Sequence, residues 1–235
     1  RIAVPMVFTV LALAFATTSR AQEGSEEGIA KENADTPATQ PAREMAPGSV
    51  KVQVLKLERP AFVESPKAVN LKSKQSKRKT GWLELEAEWI WETKSQKPED
   101  QFSSELTVKY YVWLNNATKE SRKPTILTGE TKYEHVQAGS PVRSVMYVSP
   151  RALEYLFGAK VPASAPSAIV NFGVVVSGAG EEQAGLLSGS PKAPFWEDPK
   201  AKTGADFRDG MLLRKSQTPF ATEAWDYYEQ EKLED

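Results

Sequence analysis

Few residues in this chain have the type and spacing for chemistry, and each has a plainer reading. Glu84, Glu86 and Glu88 alternate along one stretch, WLELEAEWIWE. On a strand they project from one face about 7 Å apart, a separation that glycosidase acid pairs use. Strict alternation with apolar residues favours a solvated sheet face instead, and no aromatic sugar cleft can be placed around them. His135 is the one histidine, and it stands at a strand end beside a Gly-Ser-Pro turn. A Ser-His-Asp arrangement would need a nucleophile elbow, and no G-x-S-x-G occurs. Ser76-x-x-Lys79 matches the first motif of penicillin-binding enzymes but lies in a lysine run without the companion motifs. Gly178-Ala179-Gly180 lacks the third glycine of a dinucleotide loop and runs into Glu181 and Glu182, which would repel a pyrophosphate, so it reads as a loop. Asn116-Ala117-Thr118 is a glycosylation sequon, relevant only in a eukaryotic source. No catalytic residue, metal ligand or cofactor-binding residue is assigned, and the chain is not read as an enzyme.

Composition narrows the classes further. The chain has 235 residues, 30 Lys and Arg against 31 Asp and Glu, and no cysteine. A net charge of −1 gives no overall field for nucleic acid. Without cysteine there is no disulfide framework, no Cys-ligated zinc, no thiol catalysis and no lipoprotein anchor. Any core must hold the fold unaided.

Residues 1–21 have the outline of a secretory signal peptide: Arg1, an uncharged run from Ile2 to Ala16, and small residues leading to a cleavage site after Ala21. The run is shorter than the roughly 20 apolar residues of a spanning helix, so no membrane span is expected in the mature chain. Residues 22–48 hold only Ile29 and Met45 as large apolar residues together with three prolines. Such a stretch cannot bury enough surface to offset its ordering entropy and reads as a flexible acidic leader. Residues 49–235 form the single folded domain.

That domain must be built from strands. Val50, Val52 and Val54 share one phase and Leu55 and Leu57 the other, which predicts a β-bulge. In 82–92, Leu83, Leu85, Ala87, Trp89 and Trp91 face inward. In 105–115 (ELTVKYYVWLN), Leu106, Val108, Tyr110, Val112 and Leu114 do the same, with Lys109, Tyr111 and Trp113 outward. If these two strands pair, a glutamate of the first lies opposite Lys109. Trp89 belongs to the core, whereas Glu86 is expected to tolerate Ala at little cost. Further strands are predicted at 125–134, 142–148, 168–176 and 211–215. Seven short strands without alternating helices predict an antiparallel β-sandwich. Two helices interrupt it: Arg151 to Phe157, capped by Ser149-Pro150 and ended by Gly158, and a C-terminal one from Thr218-Pro219 to Lys232.

Two stretches stand out as contacts for a partner. Segment 67–79 (KAVNLKSKQSKRK) carries Lys67, Lys72, Lys74, Lys77, Arg78 and Lys79 and no acid, which suits an acidic surface or the chain's own acidic segments; the plainer reading is a solvated loop. In the Pro-rich loop 191–199, Phe195 and Trp196 are either tucked under the loop or exposed as an anchor.

The leader, the WLELEAEWIWE and YYVWLN strands, the SPRALEYLFG helix and the TPFATEAWDYY stretch together resemble the pilus-associated proteins of the Verrucomicrobia, known from Akkermansia. The resemblance implies an immunoglobulin-like β-sandwich exported to the periplasm, outer envelope or cell surface. It also implies contacts with other envelope or pilus proteins, or with a host protein, in pilus assembly or host interaction. It carries over no catalytic residues. The alternative function is a carbohydrate-binding module or a degenerate envelope hydrolase, for which Tyr111, Trp113 and Trp196 would have to be displayed as a platform.

Overall fold

The alternating stretches dictate two sheets. The computed structural model describes residues 50–66, 81–116, 123–158, 160–178, 181–186, 194–224 and 226–232. The signal-peptide and leader segments and the basic segment 67–79 lie outside these residues.

Sheet one contains β1 (Val50–Leu57), β2 (Ala61–Val63), β3 (Trp82–Thr93), β6 (Val142–Val148) and β10 (Leu212–Arg214), in the order β1-β3-β6-β10 with β2 also paired to β3. Sheet two runs β8-β7-β4-β5-β9, from β4 (Leu106–Leu114), β5 (Thr125–Tyr133), β7 (Ile169–Gly178), β8 (Glu181–Leu186) and β9 (Asp206–Arg208). The inward faces of β3 and β4 are the two apolar sets read from the alternation, and every one of those residues is buried. They meet in one core with Tyr133, Met146, Phe172, Val174 and Val176. Most polar atoms that enter this core find partners, as buried polar groups generally do; Thr131 Oγ1, buried without a hydrogen-bond partner among the described residues, is an exception. Ser144 Oγ accepts from Trp89 Nε1 at 3.2 Å and lies 2.7 Å from the Tyr110 hydroxyl, and Trp91 Nε1 donates to the Val136 carbonyl at 3.1 Å.

Both open sides of the sandwich close through glycines. The expected bulge in β1 falls between Val54 and Lys56 and turns Val54 toward β8, where its N–H donates to Gln183 Oε1 at 2.7 Å. A Cβ at Gly185 would stand 2.5 Å from Val54 Cγ1, so β8 must be bare there. On the other side, Leu212 of β10 packs against Gly129 of β5, where a Cβ would stand 2.7 Å from it.

Helix α1 (Pro150–Phe157) has the expected cap: Ser149 Oγ accepts from the Ala152 N–H at 3.2 Å, and Gly158 ends it at φ 68°. Its buried Leu153 and Leu156 join the core. Two further short helices, α2 (Ala165–Ala168) and α3 (Pro199–Gly204), were not signalled by periodicity.

Four expectations need correction. No C-terminal helix forms at 218–232. Successive turns replace it, with Ala221, Glu223 and Tyr227 each donating to the carbonyl three residues back, and Ala224 takes a left-handed conformation at φ 48°. Long-range contacts of Phe220, Tyr227 and Tyr228 override the local helix signal. Second, β3 and β4 lie in different sheets, so Lys109 faces Glu130 of β5 rather than a β3 glutamate. Third, the stretch after Gly178 is not simply a loop: Glu181 pairs with Gly178 and starts β8. Fourth, β9 pairs parallel with β5, a departure from an all-antiparallel sandwich. Strands as short as β2 and β9 have too few residues to show alternation.

Candidate functional site

The outward face of β3 is not left to solvent. Its register with β6 sets Glu88 opposite Arg143 and Glu84 opposite Tyr147. One guanidinium spans two carboxylates, with Arg143 Nη1 2.7 Å from Glu86 Oε1 and Nη2 2.7 Å from Glu88 Oε2. The segment 218–232 then crosses over the top. Tyr228 and Tyr227 donate to the two oxygens of Glu86 at 3.1 and 3.2 Å, and the Tyr227 ring also lies under Arg143, 4.6 Å from its Cζ. Phe220 stacks on Tyr147 at 4.6 Å and meets Trp82 edge-on at 5.7 Å. The segment ends against sheet two, where Lys232 reaches Glu134 at 2.6 Å and Glu105 at 2.9 Å.

Burial tunes these groups. Desolvation pushes the Glu84 carboxyl up from its ordinary range, against the opposing effect of the Tyr147 hydroxyl, which donates to it at 3.1 Å. Desolvation, reinforced by the neighbouring glutamates, pushes the hydroxyls of Tyr147 and Tyr228 well up, so both stay protonated donors. Glu86 has a side chain only 11% exposed and both of its oxygens engaged. The expectation of a solvated acidic face is therefore corrected. These carboxylates are held by Arg143 and tyrosine hydroxyls under a strap of the chain's own residues and are not an open acid pair.

The outward face of β4 is covered in a different way. Trp196 stacks on Tyr111 with ring centres 4.2 Å apart and planes 7° from parallel, and Phe195 packs edge-on to Trp196 at 4.9 Å and against Trp113 at 5.7 Å. Phe195 and Trp196 are both buried, in a second apolar cluster with Ile126, Val175, Ala201 and Ala205. The tucked alternative is the one observed, and the pair is not an exposed anchor: the rings gain more from covering Tyr111 and Trp113 than from water. Beside this cluster lies a cleft of about 690 Å³ lined by Lys109, Tyr111, Thr128, Glu130, Trp196 and Phe207, among others. Its size suits a small ligand, but its aromatic rings face one another rather than forming a displayed platform.

The remaining sequence candidates scatter. Lys67, Lys72, Lys74, Lys77, Arg78 and Lys79 lie outside the described residues; the chain on either side of them is tied by Trp82 Nε1 donating to Ser65 Oγ at 2.8 Å. His135 is exposed, in a left-handed conformation at φ 59°. The Asn116 amide is buried and structural: it donates to Thr125 Oγ1 and the Leu156 carbonyl and accepts from the Thr125 N–H. Among the described residues no group of three His, Asp or Glu side chains is placed to hold a metal ion, and no helix is long and apolar enough to cross a membrane. Sequence reasoning missed the pairing of the β3 glutamates with Arg143 and Tyr147, whose only local signal was their place on the outward phase of β6.

Comparison with known proteins follows this architecture. A crystal structure of a protein from Akkermansia muciniphila superposes with a TM-score of 0.62 at 22% identity, covering 79% of this chain and 96% of that one. At that identity the match speaks for the fold: an immunoglobulin-like β-sandwich. No match was found among the curated proteins. A family model matches residues 43–235, which include the whole of the domain, and the chain belongs to that family, the Akkermansia-type β-sandwich proteins that its strand, helix and TPFATEAWDYY motifs resemble.

Proposed function

We propose that this protein is an exported, non-enzymatic component of the cell envelope or cell surface that works by protein-protein contact in a type IV pilus-like system. One observation carries the reading. The side chains best suited to other activities are already engaged by the chain itself: Glu86 and Glu88 by Arg143 and the tyrosines, and Trp196 by Tyr111. A hydrolase needs a carboxylate pair open to its substrate, and a sugar platform needs uncovered rings. Among the described residues, Phe102 and Tyr155 are large aromatic side chains that stay exposed, a residue type enriched where proteins meet. Export rests on the signal-peptide outline of residues 1–21, and the pilus association rests on the family resemblance.

The test is cross-linking in native envelopes followed by identification of the joined proteins. The reading expects a reproducible partner among envelope or pilus proteins, retained when Glu84 and Glu86 are both changed to Gln. Binding or cleavage of an envelope polysaccharide that depends on Tyr111 or on the two glutamates would establish the carbohydrate alternative instead.

A further inference from the structure

The strap 218–232 and the face beneath it behave as a peptide and its receptor. Phe220 fills a slot between Trp82 and Tyr147, Tyr227 and Tyr228 hold Glu86, the Glu229 N–H donates to the Arg143 carbonyl at 3.2 Å, and the Lys232 N–H donates to the Lys132 carbonyl at 2.7 Å. Glu231 accepts from the Lys215 N–H at 2.8 Å. Every one of these receptor groups precedes Thr218 in sequence. We propose that this face is an interaction surface for a second copy of the chain, with the strap of one copy seated on sheet one of another.

Two features favour exchange over a permanently closed strap. The strap has no helix or continuous ladder of its own, so its contacts transfer intact to a second copy. Only the turn bonds around Thr218, such as Ala221 N–H to the Thr218 carbonyl at 3.2 Å, are lost on opening. Thr218 precedes Pro219 and is already extended, at φ −123° and ψ 167°, the conformation that proline imposes on its predecessor. Thr218 therefore needs no change of its own backbone when the turn that follows it opens. Because closed and exchanged forms share their contacts, the balance is set by concentration. The tethered strap competes at an effective concentration in the millimolar range, so exchange belongs to crowded chains, as on a surface or in an assembly.

The cysteine-free sequence makes the test clean. Chains carrying Lys132→Cys are mixed at high concentration with chains carrying Lys232→Cys in a glutathione buffer, and Lys132→Cys with Lys200→Cys measures random collision. The proposal expects a mixed disulfide above that control and lost when Phe220→Ala removes the anchor. Sedimentation of the unmodified chain should show a reversible dimer, its ratio to monomer rising about tenfold for a tenfold rise in dilute chain concentration, as mass action requires. A mixed disulfide no more abundant than the collision control, together with a single monomeric species up to about millimolar concentration, would overturn it. Both measurements use purified chain alone, so their failure leaves the envelope partner reading to its own test.

Discussion

The two outward faces of the sandwich are both covered by the chain, one by ion pairs and hydroxyls beside a small ring cluster, the other by apolar side chains. On β3 the outward residues include three glutamates, of which Glu86 is held by Arg143 and by tyrosines from 141 and 142 residues away. On β4 they include Tyr111 and Trp113, which Phe195 and Trp196 convert into a second small core. The difference is physical. Apolar cover gains from burial in any ionic medium, whereas a layer of ion pairs and hydrogen bonds offsets desolvation against attraction and responds to salt and pH. One face thus holds by burial alone, and the hold on the other also depends on salt and pH.

Substitutions can break or sharpen this contrast. The largest effect belongs to the core beneath both faces: Trp89→Ala should cost about 3–5 kcal/mol by denaturant unfolding, because its indole is fully buried and bonded to Ser144. Trp196→Ala should cost about 3 kcal/mol, near the low end of that range, and the loss should not change between low and high salt. Arg143→Met should cost less and be salt-sensitive, with faster amide exchange confined to residues 220–232; equal protection of the strap in both proteins would mean that its hold does not depend on the charge layer. The smallest effect is that of Glu84→Gln. Burial raises the folded carboxyl above its unfolded value of 4.5, so the ionised form weakens the fold. That cost is complete above the raised value, shrinks as pH falls through it, and vanishes below the unfolded value. Glu84→Gln should therefore raise Tm at pH 7 and not below about pH 4.

How much of this was legible follows from range. The inward faces of β3 and β4, the β1 bulge and the Ser149 cap are local patterns, fixed by residues two to four apart, and the structure repeats them. The covers are not local. Nothing near Glu86 announces Tyr228, so the sequence suggested a solvated glutamate indifferent to Ala, while the structure gives it an arginine and two tyrosines. The same blindness produced a helix at 218–232: Thr218-Pro219 is a sound start signal, but the segment's rings are needed in directions that a helix cannot supply together. Phe195 and Trp196 were readable only as a choice between tucked and exposed, because the deciding partners, Tyr111 and Trp113, sit on a strand far away in sequence.

The central claim is that the protein works through contact and not through its carboxylates or aromatic rings. The most direct measurement is cross-linking in native envelopes, comparing the natural chain with the Glu84→Gln, Glu86→Gln double variant. The account predicts the same envelope protein joined to both at equal yield. A polysaccharide bound or cleaved by the natural chain and lost with the two glutamates would contradict it.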